Sequence, residues 1–281
     1  TSWTVRVVLA DEAMRPIFCP AVLAAAVACG PEAAAPTSDL GLLATASAST
    51  AARLPQTRTE FLDVVAPLPF DAVRVQYEVS GPGGLAGTLE ILLKAGGERR
   101  ESWMLQLPLA EGEVRTIAAS AVQTADFVWA GTGDTLEVDR APLGALADAY
   151  LALPSDERRR VIESLAAFRT RVDVARTDAP GTGREILDVP CLATRLAAQE
   201  LCVWEATGLP LDYRGNAFVM RATAIETDAT VPDGAFEVPA EVERNAPGPD
   251  LDPAESLARL AREDYAELGP LLHPGLRLPL G

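Results

Sequence analysis

Seven consecutive residues, Val73-Arg74-Val75-Gln76-Tyr77-Glu78-Val79, alternate apolar and polar without a break. That period of two marks a strand with one buried face. Ser80 to Gly84, SGPGG, supplies a turn, and the run Thr88 to Lys94 then sets Leu89, Ile91 and Leu93 on one face. After Gly96-Gly97 a third run gives Trp103, Leu105 and Leu107 a common face. These spacings predict a meander of antiparallel hairpins. Weaker strand signals follow at Val114 to Ser120, Asp126 to Trp129 and Thr135 to Val138. Later ones lie at Glu185 to Leu192, Leu201 to Glu205, Leu209 to Tyr213, Phe218 to Ile225 and Phe236 to Val238.

Between the two groups of strands the period changes to that of a helix. Leu143 to Ala152 reads as a short helix, and Ser155 caps a second whose first turn holds Asp156 and Glu157, favourable at the positive end of the helix dipole. Val161, Ile162, Leu165 and Phe168 fall at helical spacing in it. Near the C-terminus, Asp252-Pro253-Ala254-Glu255 combines a capping aspartate, a proline at the first helical position and a glutamate at the third. A helix is therefore expected from Asp252 to Leu268, with Leu257, Leu260, Ala261 and Leu268 as its apolar stripe and Gly269-Pro270 as its stop. The chain reads as mainly β (α+β), with a helical pair inserted midway and a C-terminal helix.

Composition narrows the partners. The 281 residues are 48% hydrophobic and carry a formal net charge of −16, so attraction to nucleic acid or to an anionic lipid surface is unfavourable for the chain as a whole. No nucleic-acid partner is expected. The N-terminal region names a compartment. Met14 to Cys29, MRPIFCPAVLAAAVAC, has one basic residue, Arg15, then an apolar run of about 12 residues, then small residues before Cys29. The run is shorter than the roughly 20 apolar residues a spanning helix needs. The bland alternative, an alanine-rich core helix, is opposed by Pro20 and by the Ala, Ser, Thr and Pro that follow. From Gly30 to about Thr59 large apolar side chains are few, and such a segment reads as a flexible tether.

The two cysteines outside that region are Cys191 and Cys202, each in a strand-like stretch. In an oxidising space, with Cys19 and Cys29 set apart in the N-terminal region, these two pair with one another. Ala193 to Glu200 is long enough to turn a hairpin that sets them opposite each other as a disulfide. A redox-active or metal-binding pair is the alternative. It lacks a Cys-x-x-Cys spacing, and the single histidine, His273, lies in a proline-rich tail. No cofactor or metal is expected.

Met14 to Cys29 resembles a bacterial lipoprotein signal, with Cys29 as the lipid attachment site. Pro31 stands where an aspartate would favour retention at the inner membrane, which makes outer-membrane anchoring the default. Further on, Val189-Pro190-Cys191, Cys202-Val203-Trp204, Gly208-Leu209-Pro210-Leu211, the alternating Arg221 to Ile225 and the closing Val231 to Pro239 resemble the C-terminal half of the LolA/LolB-like periplasmic lipoproteins. The strands at Val73 to Val79 and Gly87 to Lys94 resemble that superfamily's opening hairpins. The resemblance covers about residues 60 to 242 and implies a strongly curved antiparallel sheet, a half-open β-barrel, with helices on its concave side. It implies an apolar space that holds a lipid or a lipoprotein acyl chain, with Val73, Val75, Tyr77, Leu89, Ile91, Leu93, Trp103, Leu105 and Leu107 as candidate lining. The ordinary alternative is that these residues pack against the helices as half-buried strands do.

This divides the chain into 1–29 (upstream residues and signal), 30–59 (tether), 60–242 (β domain) and 243–281 (linker and C-terminal helix). With one histidine, Ser-His-Asp and Cys-His catalysis have almost no raw material. Gly181-Thr182-Gly183 lacks the third glycine of a dinucleotide site. A glycosidase-type pair such as Asp126 and Asp134 is as readily a chance pairing in so acidic a chain. The run Arg158-Arg159-Arg160 reads as a solvated helix face. The expectation is a non-enzymatic protein on the periplasmic side of the cell envelope, membrane-attached through its lipid. Its ligand would be a lipid or acyl chain; a structural or protein-interaction module without a small ligand is the alternative.

Overall fold

The computed structural model describes residues 53–133, 135–178, 183–196, 199–246 and 252–265. The signal, Cys19, Cys29, the tether up to residue 52 and His273 lie outside them. Eleven strands form one antiparallel sheet: β1 (Ala72–Ser80), β2 (Ala86–Lys94), β3 (Glu98–Pro108), β4 (Val114–Gln123), β5 (Phe127–Thr132), β6 (Thr135–Arg140), β7 (Gly183–Ile186), β8 (Val189–Leu196), β9 (Gln199–Trp204), β10 (Pro210–Arg214) and β11 (Val219–Thr227). Their order is β6-β5-β4-β3-β2-β1-β11-β10-β9-β8-β7. Two meanders are thus joined in the middle by β1 and β11, and the sheet is open, with β6 and β7 at its edges.

The strand alternation read from the sequence sets the register. Tyr77 lies opposite Leu89 and Leu89 opposite Trp103, while Val73 and Val75 lie opposite Leu93 and Ile91. All share one face, called here the Tyr77 face. A bulge between Gln76 and Tyr77 sets Ala222 opposite Tyr77 and Ala224 opposite Gln76. The intervening Thr223 donates its hydroxyl to the Gln76 carbonyl at 3.2 Å. The opposite face of β1 is charged: Arg74 meets Glu226 at 2.7 Å and donates to the Thr230 carbonyl at 2.6 Å.

Five helices accompany the sheet: α1 (Arg58–Val65), α2 (Pro142–Ala152), α3 (Ser155–Asp178), α4 (Ala240–Asn245) and α5 (Pro253–Leu260). α1, α2, α3 and α5 gather around Phe61, Leu62, Leu143, Leu146, Tyr150, Val161, Leu165, Leu257 and Leu260. Phe61 stacks on Tyr150 with ring centroids 4.4 Å apart. Buried Ser164 of α3 donates to the Leu260 carbonyl at 2.5 Å, fastening α5 to α3. Between β11 and α4 the chain lies on the other sheet face, where Val231, Ala235 and Phe236 cover Leu92, and Val238 and Val242 join Val122 and Trp129.

Several expectations are corrected. Glu185 to Leu192 is a hairpin, because Leu187 and Asp188 both take positive φ, 52° and 61°, and reverse the chain between β7 and β8. Phe236 to Val238 forms no strand; its side chains are used as covering for the sheet. α5 stops at Leu260, where a helix to Leu268 was expected, and Glu263, at φ 61°, turns the chain; Leu268 lies outside the described residues. Thr57 to Thr59, assigned above to the tether, are the cap and first residues of α1.

Candidate functional site

Every strand from β4 through β1 and on to β7 contributes to one apolar cluster on the Tyr77 face. It includes Val73, Val75, Tyr77, Leu89, Ile91, Leu93 and Leu105, with Trp103 and Leu107 partly buried against it. All nine candidate lining residues are therefore brought together. No helix side chain among those described belongs to this cluster; the side chains of α3 from residue 170 onward lie outside the description. Val73, Val75 and Ile91 are 0% exposed, which leaves no water-sized void beside them.

The cluster is bridged by aromatic pairs that reach across strands. Trp103 of β3 meets Phe218, just before β11, edge to face at 6.2 Å, and Phe218 also lies 4.9 Å from Tyr213 of β10. Phe70, just before β1, reaches Trp204 of β9 at 5.6 Å. The Trp103–Phe218 and Phe70–Trp204 pairs each join elements three strand positions apart in the sheet.

Inside this apolar surface sits a charged pair that the sequence reading did not single out. Arg99 and Glu101 are on the same face of β3 as Trp103, opposite Leu93 and Ile91. They are 3% and 0% exposed, with Arg99 Nη2 2.5 Å from Glu101 Oε1. The Trp103 indole N–H donates to Glu101 Oε2 at 3.1 Å. Tyr77 is buried close by, and its phenol is pushed up, first by burial, with Arg99 opposing and Glu101 adding to the shift. Continuing the alternation backwards from Trp103 finds both charged residues. Their charge disguised them as solvent-facing.

The cysteines form a disulfide with Cα atoms 5.3 Å apart. They are not directly opposite, as the sequence reading had them. Cys191 faces Trp204 and Cys202 faces Ala193, so the bond runs diagonally across the β8–β9 hairpin. Arg184 of β7 stands opposite Cys191, and Asp212 of β10 opposite Cys202. The two meet at 3.5 Å, and Arg214 lies at the same distance from Asp212.

Other candidates do not assemble. Asp126 is taken by Arg58, and Asp134 lies outside the described residues. Arg160 lies 3.4 Å from Asp156 on the exposed start of α3. Among the described residues no group of three or more His, Cys, Asp or Glu is placed to hold a metal, and no helix is long and apolar enough to cross a membrane. No protein-family model matches the chain, and no curated protein matches it in sequence.

Proposed function

We propose that this is a non-enzymatic protein of the bacterial envelope, anchored through Cys29, whose sheet is a LolA/LolB-like half-open barrel that takes up an acyl chain on its Tyr77 face. The observation that carries the reading is the separateness of the two cores. A sheet built only to support helices would share its apolar face with them, whereas among the described side chains none from a helix stands in the Tyr77-face cluster. A sheet curled toward that face accounts for the contacts of Trp103 with Phe218 and of Phe70 with Trp204, which join elements three strand positions apart. An acyl chain entering this face exchanges one set of apolar contacts for another, and burying it is worth about 0.8 kcal/mol per methylene.

The complete burial of the same residues favours a second reading, in which the face is simply the core of a structural or protein-interaction module. Native mass spectrometry of the protein extracted from its own membranes, with titration of the delipidated chain by cis-parinaric acid, separates the two. Co-purifying lipid and saturable, stoichiometric binding are expected. An empty protein with no saturable binding overturns the carrier reading. Anchoring is tested independently by Cys29→Ser, which should move the protein from the membrane to the soluble fraction.

A further inference from the structure

The geometry points to Trp103 and Phe218 as a gate over the Tyr77 face, with Glu101 holding the indole in the closed position; the gate's use in ligand entry rests on the carrier reading above. Exposure supplies the first reason. Val75, Tyr77, Leu89 and Ile91 are buried, while Trp103 and Phe218, which join β3 to the β10–β11 turn, are only partly so. They are among the partly buried members of the cluster, as are Phe70 and Tyr213.

The second reason is the way Trp103 is held. An indole packed only by apolar neighbours needs no carboxylate, and a buried ion pair is seldom the most stable filling for an apolar core. Yet Glu101, wholly buried and charge-balanced by Arg99, accepts the indole N–H. That bond fixes the ring's orientation on β3, while the edge-to-face contact with Phe218, ring centroids 6.2 Å apart, is held by no hydrogen bond between the two rings. A strongly fixed ring on one side and a lightly held contact on the other describes a closure that parts between Trp103 and Phe218. Phe218 sits in the β10–β11 turn, where the Gly215 N–H donates to its carbonyl at 3.0 Å. Phe70 with Trp204 bridges the cluster elsewhere and serves as the internal comparison.

The test places a reporter thiol under the bridge. Ala222, buried on β11 opposite Tyr77, is changed to cysteine in the full chain carrying Cys19→Ser and Cys29→Ser, with the Cys191–Cys202 disulfide intact. Labelling by N-ethylmaleimide then reads opening without any ligand. Trp103→Ala and Phe218→Ala should each speed labelling at least tenfold, and Phe70→Ala should leave it within twofold. The same two gate variants should raise the association rate of cis-parinaric acid by a similar factor. Labelling unchanged in the gate variants, or raised equally by Phe70→Ala, overturns the gate. Faster labelling in the gate variants alone, with no parinaric acid bound by any form, upholds the gate and removes the carrier reading.

Discussion

Gly144 of α2 packs so closely on Asp126 that a β-carbon on the glycine would collide with the carboxylate and with the Arg58 guanidinium bound to it. The Gly144 N–H donates to the Ala125 carbonyl at 2.7 Å, and the Ala141 N–H to the Asp126 carbonyl at 2.8 Å. One small residue thus lets α1, α2 and the β4–β5 turn meet at a single ion pair. Helix propensity alone would make Gly144→Ala stabilising by about 1 kcal/mol. The expected sign is the reverse: a loss of about 1–3 kcal/mol from overpacking, read from urea denaturation. An alanine variant as stable as the parent would show that this junction is looser than described.

The diagonal disulfide closes a short loop, the cysteines being 11 residues apart in sequence. In the chain-entropy account a loop of that size is worth about 3 kcal/mol. Cys191→Ala with Cys202→Ala should lower stability by about that amount and leave the far-ultraviolet spectrum unchanged, because the backbone pairing from Cys191 to Trp204 through Ala193 to Cys202 does not depend on the bond. Thiol counting on the denatured native protein should find this pair oxidised. Two free thiols there would defeat the assignment to an oxidising compartment.

The start of α1 is set by a reciprocal cap. Thr57 Oγ1 accepts from the Glu60 N–H at 3.2 Å, and the Glu60 carboxylate accepts from the Gln56 and Thr57 N–H groups at 2.6 and 3.1 Å. The hydrogen bond from Gln56, followed by those from Thr57, holds Glu60 below its ordinary value of 4.5. A carboxyl whose folded value is depressed contributes stability that is complete above its unfolded value and lost as the pH falls through the folded one. Thr57→Ala should cost about 1 kcal/mol at neutral pH. Glu60→Gln should remove this group's share of the decline below pH 4.5, which paired acid titrations of the two chains followed by circular dichroism would reveal.

Much of the sheet is legible from alternation alone. Val73 to Val79 and Leu89 to Leu93 fall in the strands and on the face the pattern predicts, as do Trp103, Leu105 and Leu107. What was hidden had local causes. β7 and β8 read as one strand because their turn uses Leu187 and Asp188 at positive φ, where glycine or asparagine would have announced a reversal. α1 was legible in principle from Thr57 and Glu60, a capping box, but the small polar residues before it drew it into the tether. Phe236 to Val238 looks like a strand since covering a sheet and belonging to one both call for large apolar side chains. The candidate lining was visible as a set. Its charged centre was not, because Arg99 and Glu101 carry the charge that marks solvent-facing positions on an alternating strand.

That centre gives the sharpest energetic expectation. Arg99 and Glu101 form an ion pair inside apolar surroundings, so removing Glu101 takes a close carboxylate from a buried guanidinium. Glu101→Leu alone should cost about 3–5 kcal/mol, whereas Arg99→Met combined with Glu101→Leu should recover most of that loss, because a buried pair contributes little net stability over apolar residues of similar size. The double variant also releases the Trp103 indole from its acceptor. It should therefore be nearly as stable as the parent in urea but bring Trp103 into a more mobile environment, seen as lower tryptophan fluorescence anisotropy on the nanosecond scale. A double variant as unstable as Glu101→Leu would mean that the pair is held for stability, and that its role in positioning the indole is secondary.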